Sequence, residues 1–99
     1  MVEISKNLEG TRLTVTLSGE LNTVTAPNLE ASLLEDLPSI DEIILDMADL
    51  SYITSSGLRV LLVCQQELEE RGGVTIRSAS PVIREVMEVT GFDSILTLE

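Results

Sequence analysis

Glu42-Ile43-Ile44-Leu45-Asp46-Met47 is a short apolar run bounded by acidic residues. It lacks apolar–polar alternation, so it reads as a central strand of a parallel sheet. After a long connection, Gly57 to Arg71 carries Leu58, Leu61, Leu62 and Leu68 at helical spacing, and Gly72-Gly73 supplies a C-terminal cap and turn. Val74-Thr75-Ile76-Arg77 then reads as the next strand. A strand, a helix and a strand in succession imply parallel pairing through a right-handed crossover.

Toward the N-terminus, Leu13-Thr14-Val15-Thr16-Leu17 alternates strictly and predicts a strand with one covered face. Asn7-Leu8-Glu9-Gly10 reads as a turn, because Asn and Gly tolerate positive φ. Val2 and Ile4 before it suggest an edge strand and a hairpin. Gly19 is expected to end the second strand. Thr25 is placed to cap a helix with Pro27 in its first turn and an inward stripe of Ala26, Leu29, Leu33, Leu34 and Leu37, stopped at Leu37-Pro38-Ser39.

Toward the C-terminus, Ser80-Pro81 opens a helix in which Val82, Ile83, Val86, Met87 and Thr90 follow, and Gly91 closes it. Ile95 to Leu98 is a last strand or short turn. The expected fold is a single α/β domain over residues 1–99, in the order β-β-α-β-α-β-α-β. Its sheet is mixed and mainly parallel, with about four to five strands and three or more helices. If the strands add in chain order, every crossover falls on one face. The carboxyl ends of the parallel strands then form a functional edge from Gly19–Thr25 and Asp46–Gly57.

Composition narrows the chemistry. Six basic residues against seventeen acidic ones give a net charge of −11. That sign disfavours nucleic acid and anionic membrane surfaces. The chain has no His and one Cys. Nucleophilic triads and His-ligated zinc are thereby excluded, as is an internal disulfide, and the thiol usage suits the cytoplasm. No GxGxxG or GxxxxGK[ST] loop is present. The start, Met1 to Lys6, predicts no targeting segment, and Val60 to Cys64, the longest apolar run, falls far short of the ~20 residues that span a bilayer. The expectation is a binding protein without cofactor or metal, monomeric when free, and not an enzyme.

The connection Asp46-Met47-Ala48-Asp49-Leu50-Ser51-Tyr52-Ile53-Thr54-Ser55-Ser56-Gly57 ends in a run of hydroxyls just before an apolar helix. Helix starts leave backbone N–H groups unpaired and carry partial positive charge. One hydroxyl is enough for a cap, so three in succession exceed what capping needs. The same donors can hold a phosphate, which makes the position suited to a reversible charge switch. Gly57 removes a side chain in the first turn, leaving room for another surface to approach.

At this point the chain resembles a known family. Asp49-Leu50-Ser51-Tyr52-Ile53-Thr54-Ser55-Ser56-Gly57-Leu58-Arg59-Val60-Leu61-Leu62 resembles the signature of the STAS domain, in particular of bacterial anti-sigma factor antagonists. Gly19-Glu20-Leu21-Asn22-Thr23-Val24-Thr25-Ala26-Pro27 is similar to the family's earlier loop and helix entry. The resemblance implies a partner switch: the unphosphorylated antagonist binds an anti-sigma factor, often itself a serine kinase, and so frees a sigma factor. The phosphorylated residue it implies is Ser55, with a PP2C-type phosphatase reversing the modification. The implied partner-binding set is Asn22, Thr23, Thr54, Ser55, Ser56, Gly57, Leu58 and Arg59. Thr54 and Asn22 stand where many family members carry Asp. The alternative within the family is an unphosphorylated subunit that serves as a regulatory or scaffold module of a stressosome-like or transporter-associated complex.

Other residues have simpler readings. Asp46 and Asp49 are turn-forming or solvated acids rather than a magnesium site, and Glu67, Glu69 and Glu70 form a solvated helix face. Cys64, among Val60 to Leu68, reads as a small core residue. Ile53 either anchors its loop in the core or stands half exposed with Tyr52. Met87 and Phe92 complete the core under the last helix.

Overall fold

The computed structural model describes residues 2–99. Five strands form one sheet: β1 (Val2–Glu9), β2 (Arg12–Leu21), β3 (Glu42–Ile53), β4 (Gly73–Arg77) and β5 (Thr97–Leu98). They lie side by side in chain order, with β1 antiparallel to β2 and every later pair parallel. Three helices, α1 (Ala26–Leu34), α2 (Ser55–Leu68) and α3 (Pro81–Thr90), make the parallel connections, and 3-10 turns occupy Leu37–Ser39 and Phe92–Ser94. The order β-β-α-β-α-β-α-β is the one that strand and helix periodicity predicts.

Register decides which face each residue takes. Leu13, Ile43 and Val74 pair in one row across β2, β3 and β4, and Val15, Leu45 and Ile76 in another. These rows share one apolar cluster with Leu29 and Leu33 of α1, Leu61 and Leu68 of α2, and Ile83 and Met87 of α3. All three helices therefore cover the same face. The opposite face is lightly covered, as the Thr14/Thr16 alternation and the same-face crossovers predict. Ile44 lies in the row Thr14–Ile44–Thr75 on the opposite face and is no part of that cluster, although only 6% of it is exposed. Threonines on either side shield it instead of a second helix layer.

Several boundaries differ from the sequence reading. β1 runs through Asn7 to Glu9, so the turn is confined to Gly10-Thr11, with Gly10 at φ +63°. Gly19 does not end β2, which continues to Leu21. Leu34 is 48% exposed, and Leu37 belongs to the 3-10 turn rather than to α1. α2 begins at Ser55 and stops at Leu68. Arg71 lies beyond it and donates to the carbonyl of Ile40 at 2.9 Å. Thr90 in α3 faces outward and donates to Val86 O at 2.7 Å.

The largest difference is in β3. Residues 48–53, which read from sequence as a connection, continue the strand. The β2–β3 register shifts between Thr16 and Ser18, and again between Gly19 and Glu20. Each shift adds a residue on the β3 side, as β-bulges do. Burial there recurs at Met47, Leu50 and Ile53, every third residue, instead of every second. That spacing hides the strand from a search for alternation. Among the described residues, no helix is long and apolar enough to cross a membrane.

Candidate partner-docking site

The ends of β2 and β3 lie side by side, Leu21 opposite Ile53, and the Thr54 amide donates to Leu21 O at 2.9 Å. The two strands thus release their following segments at one edge. Ser51 adds a clamp, its hydroxyl donating to Gly19 O at 2.9 Å.

After β2 the chain turns on Asn22. Its Oδ1 accepts from the amides of Val24 (2.9 Å) and Thr25 (3.0 Å), the side-chain turn that Asn and Asp favour. Thr25 is buried. Its hydroxyl accepts from the Asn22 amide at 2.9 Å and donates to Glu20 O at 2.8 Å. Thr25 therefore braces the turn rather than capping α1 through its side chain, as its position before Pro27 suggested. Thr23 and Val24 are left exposed at the tip.

After β3, Thr54 is extended (φ −104°, ψ 177°), and the first helical bond runs from the Leu58 amide to Thr54 O at 3.0 Å. The Thr54 side chain makes no cap. Its Oγ1 is buried and has no hydrogen-bond partner among the described residues. By contrast α3 is capped, with Ser80 Oγ accepting from the Ile83 amide at 3.4 Å. Ser55 is exposed at the first helical position. Ser56 is half-buried, its Oγ 3.1 Å from Thr23 Oγ1, so a hydroxyl pair bridges the two segments of the edge.

Asn22, Thr23, Thr54, Ser55, Ser56 and Arg59 thus gather where the two segments meet. Gly57 and Leu58 belong to the same turn of helix but face inward, Leu58 with 5% exposure. The space beside Gly57 is occupied from within. A Cβ there would stand 2.8 Å from Ile53 Cγ1 and 3.1 Å from Leu21 Cδ2. Tyr52 is half exposed and Ile53 is in the core, which resolves the two readings of Ile53 in favour of the anchor.

A cleft of about 210 Å³ lies between α1 and α2, lined by Thr23, Ala26, Pro27, Glu30, Ser56, Arg59 and Val60. Sequence reasoning had not singled out Glu30. The signal lies in α1, where Pro27 and Glu30 stand three apart, the spacing of one helix face. Farther from the edge, Asp46 Oδ1 accepts from the Ala48 amide at 3.1 Å, within β3 at its first register shift rather than in a turn. Among the described residues no group of three or more His, Cys, Asp or Glu side chains is placed to hold a metal ion. Cys64 is buried in the core, and burial pushes its thiol up to about 11.

The family model for the STAS domain matches residues 2–99. BtrV of Bordetella bronchiseptica, a protein named as an anti-sigma factor antagonist, is 37% identical over 81 residues, 80% of this chain and 70% of BtrV. An anti-sigma factor antagonist from Mycobacterium paratuberculosis is 24% identical and superposes with a TM-score of 0.89, covering 99% of this chain and 85% of its own. SpoIIAA, an anti-sigma factor antagonist and cell fate determinant of Bacillus, is 22% identical and covers 98% of this chain in each of two solved forms. Its unphosphorylated form superposes with a TM-score of 0.85 over 88% of that chain, and its phosphorylated form with 0.77 over 91%. At these identities the solved structures speak for the fold.

Proposed function

This chain belongs to the STAS domain family, and from that premise we propose that it is an anti-sigma factor antagonist whose binding is switched by phosphorylation of Ser55. BtrV, at 37% identity, supports the antagonist role, and SpoIIAA is a relative in fold that exists in a phosphorylated form. In the proposed cycle the unmodified chain binds an anti-sigma factor through the β2–α1 and β3–α2 edge and frees a sigma factor. A serine kinase, which is that same anti-sigma factor or one like it, modifies Ser55, and a PP2C-type phosphatase restores the hydroxyl. The cycle is cytoplasmic.

The observation that carries this reading is the different standing of three neighbouring hydroxyls. Thr54 Oγ1 is buried and Ser56 Oγ is bound to Thr23, while Ser55 is exposed on the edge, open to a kinase and to a partner. A hydroxyl loses little on burial against a partner if it is paired there. Phosphorylation adds about −1.5 to −2 charges, and burying an unpaired charge costs several kcal/mol. Converting a mostly bound population to a mostly free one takes about 5.5 kcal/mol of differential affinity, which such a charge in a packed contact can supply. The net charge of −11 acts mainly on encounter rate, because at physiological salt it is screened beyond about 8 Å.

The test is phosphate mapping by mass spectrometry after incubation with a candidate anti-sigma kinase and ATP, together with calorimetric binding of three forms. Ser55→Ala should bind like the parent and take no phosphate, and Ser55→Asp should bind at least tenfold more weakly. If both variants bind like the parent, Ser55 is not the switch. Retained binding with no phosphate on the parent chain would instead favour a passive subunit.

A further inference from the structure

Five of the six basic side chains are committed to contacts within the chain. Lys6 pairs with Glu35 and Asp36, Arg12 with Glu42, and Arg77 with Glu99. Arg71 donates to the carbonyl of Ile40 and Arg84 to that of Glu99. Of the basic side chains among the described residues, Arg59 alone makes neither an ion pair nor a side-chain hydrogen bond. In a chain with seventeen acidic residues an uncommitted guanidinium is conspicuous, and this one stands one turn beyond Ser55.

Ser55 and Arg59 are four residues apart on α2 and both are exposed. Residues at that spacing share a helix face, with Cβ atoms about 5–6 Å apart. Long helical side chains favour rotamers that lean back toward the N-terminus, so a phosphate on Ser55 is within the reach of the Arg59 side chain. The acid-before-base order is the favourable one for such a pair. Glu30, on α1, is the carboxylate that shares the cleft with Arg59, and no ion pair joins them.

We propose that Arg59 is the internal partner of a phosphate on Ser55, its guanidinium donating two N–H bonds to the phosphate oxygens of the same chain. The proposal rests on the reading of Ser55 as the modified residue and adds how the modified state is held. The pair offsets part of the new charge on an already acidic chain. It also draws Arg59 out of the cleft it shares with Thr23, Ser56 and Glu30, so a single modification alters both the serine and the neighbouring cleft. Arginine suits the role because its planar fork matches phosphate oxygens two at a time.

The test installs phosphoserine at position 55 during translation of the full chain and follows the phosphate titration by 31P NMR. A guanidinium that favours the dianion lowers the second phosphate pKa. From the usual strength of i, i+4 ion pairs, about 0.2–0.5 kcal/mol, the parent chain should titrate about 0.2–0.4 unit below Arg59→Gln. Arg59→Lys should retain part of that difference, and 1 M NaCl should shrink it. The helix N-terminus and Glu30 are common to all three chains, so the difference isolates Arg59. Equal phosphate pKa values in the parent and Arg59→Gln would overturn the pair. Because no kinase is used, that result is separate from a failure of Ser55 to be phosphorylated by one.

Discussion

Gly57 and Ile53 are in contact across the β3–α2 junction so closely that a single added carbon has no room. A Cβ on Gly57 would lie 2.8 Å from Ile53 Cγ1, with Leu21 Cβ at 3.2 Å behind it. Both atoms sit near the backbone of strands that pair with each other, so neither can swing aside. Gly57→Ala should therefore destabilise the fold, even though Ala is the better helix former by about 1 kcal/mol. Overpacking typically costs about 1–3 kcal/mol, and a contact as short as 2.8 Å belongs at the upper end of that range, which leaves a net loss of up to roughly 2 kcal/mol. Urea denaturation should show the midpoint falling with an unchanged slope. An unchanged midpoint would mean that the β3–α2 junction is looser than described.

Asn22 organises its turn through one atom, Oδ1, which accepts from two amides. Asn22→Asp keeps that acceptor and adds charge beside the start of α1, so stability should stay within about 0.5 kcal/mol of the parent. Asn22→Ala leaves both amides without their partner and should cost about 1–2 kcal/mol. Thermal unfolding of the three chains checks this. A loss for Asp as large as for Ala would show that the amide nitrogen, not Oδ1, is what the turn requires.

Thr54 carries a buried hydroxyl with no partner among the described residues. Its backbone is extended, which suits a β-branched side chain. Thr54→Val fills nearly the same volume without the unpaired oxygen and should raise stability by about 1 kcal/mol. A drop of similar size would reveal that the hydroxyl is satisfied in solution.

The Cys64 thiol is pushed up to about 11 from 9.0, chiefly by burial, with the charges of Glu30 and Glu67 adding to it. The fold thus favours the protonated thiol. Its contribution is fully present below pH 9, where the unfolded chain is also protonated, and is lost as pH rises through about 11. Two units correspond to about 2–3 kcal/mol across that window. Denaturation midpoints should fall more steeply between pH 9 and 11 for the parent chain than for Cys64→Ala, and the native thiol should resist iodoacetamide at pH 8. Parallel pH profiles for the two chains would remove Cys64 as the source.

Much of the fold is legible from local pattern. The strict alternation of Leu13 to Leu17 and the capped pattern from Ser80 to Gly91 correspond to β2 and α3. So does the apolar run Ile43-Ile44-Leu45, which lies within β3. The edge proposed for docking draws attention in the sequence too, because a hydroxyl run before an apolar helix stands out in the chain. What escapes is the second half of β3. Met47, Leu50 and Ile53 are buried at intervals of three, a spacing that belongs to neither a regular strand nor a helix.

By itself, then, the sequence determined the succession of strands and helices, the apolar stripes of most of them, and an acidic, His-free composition. These follow from residue-by-residue burial preference and period, which are local. Only the tertiary structure decided where β3 ends, that Ile44 faces the threonine side, that Gly57 is required by Ile53 and Leu21, and that Ser56 is tied to Thr23 while Ser55 is not. Each of those depends on a neighbour brought close by strand register or helix packing. A bulge that shifts register by one residue changes every such neighbour without changing the local pattern on which sequence reading relies.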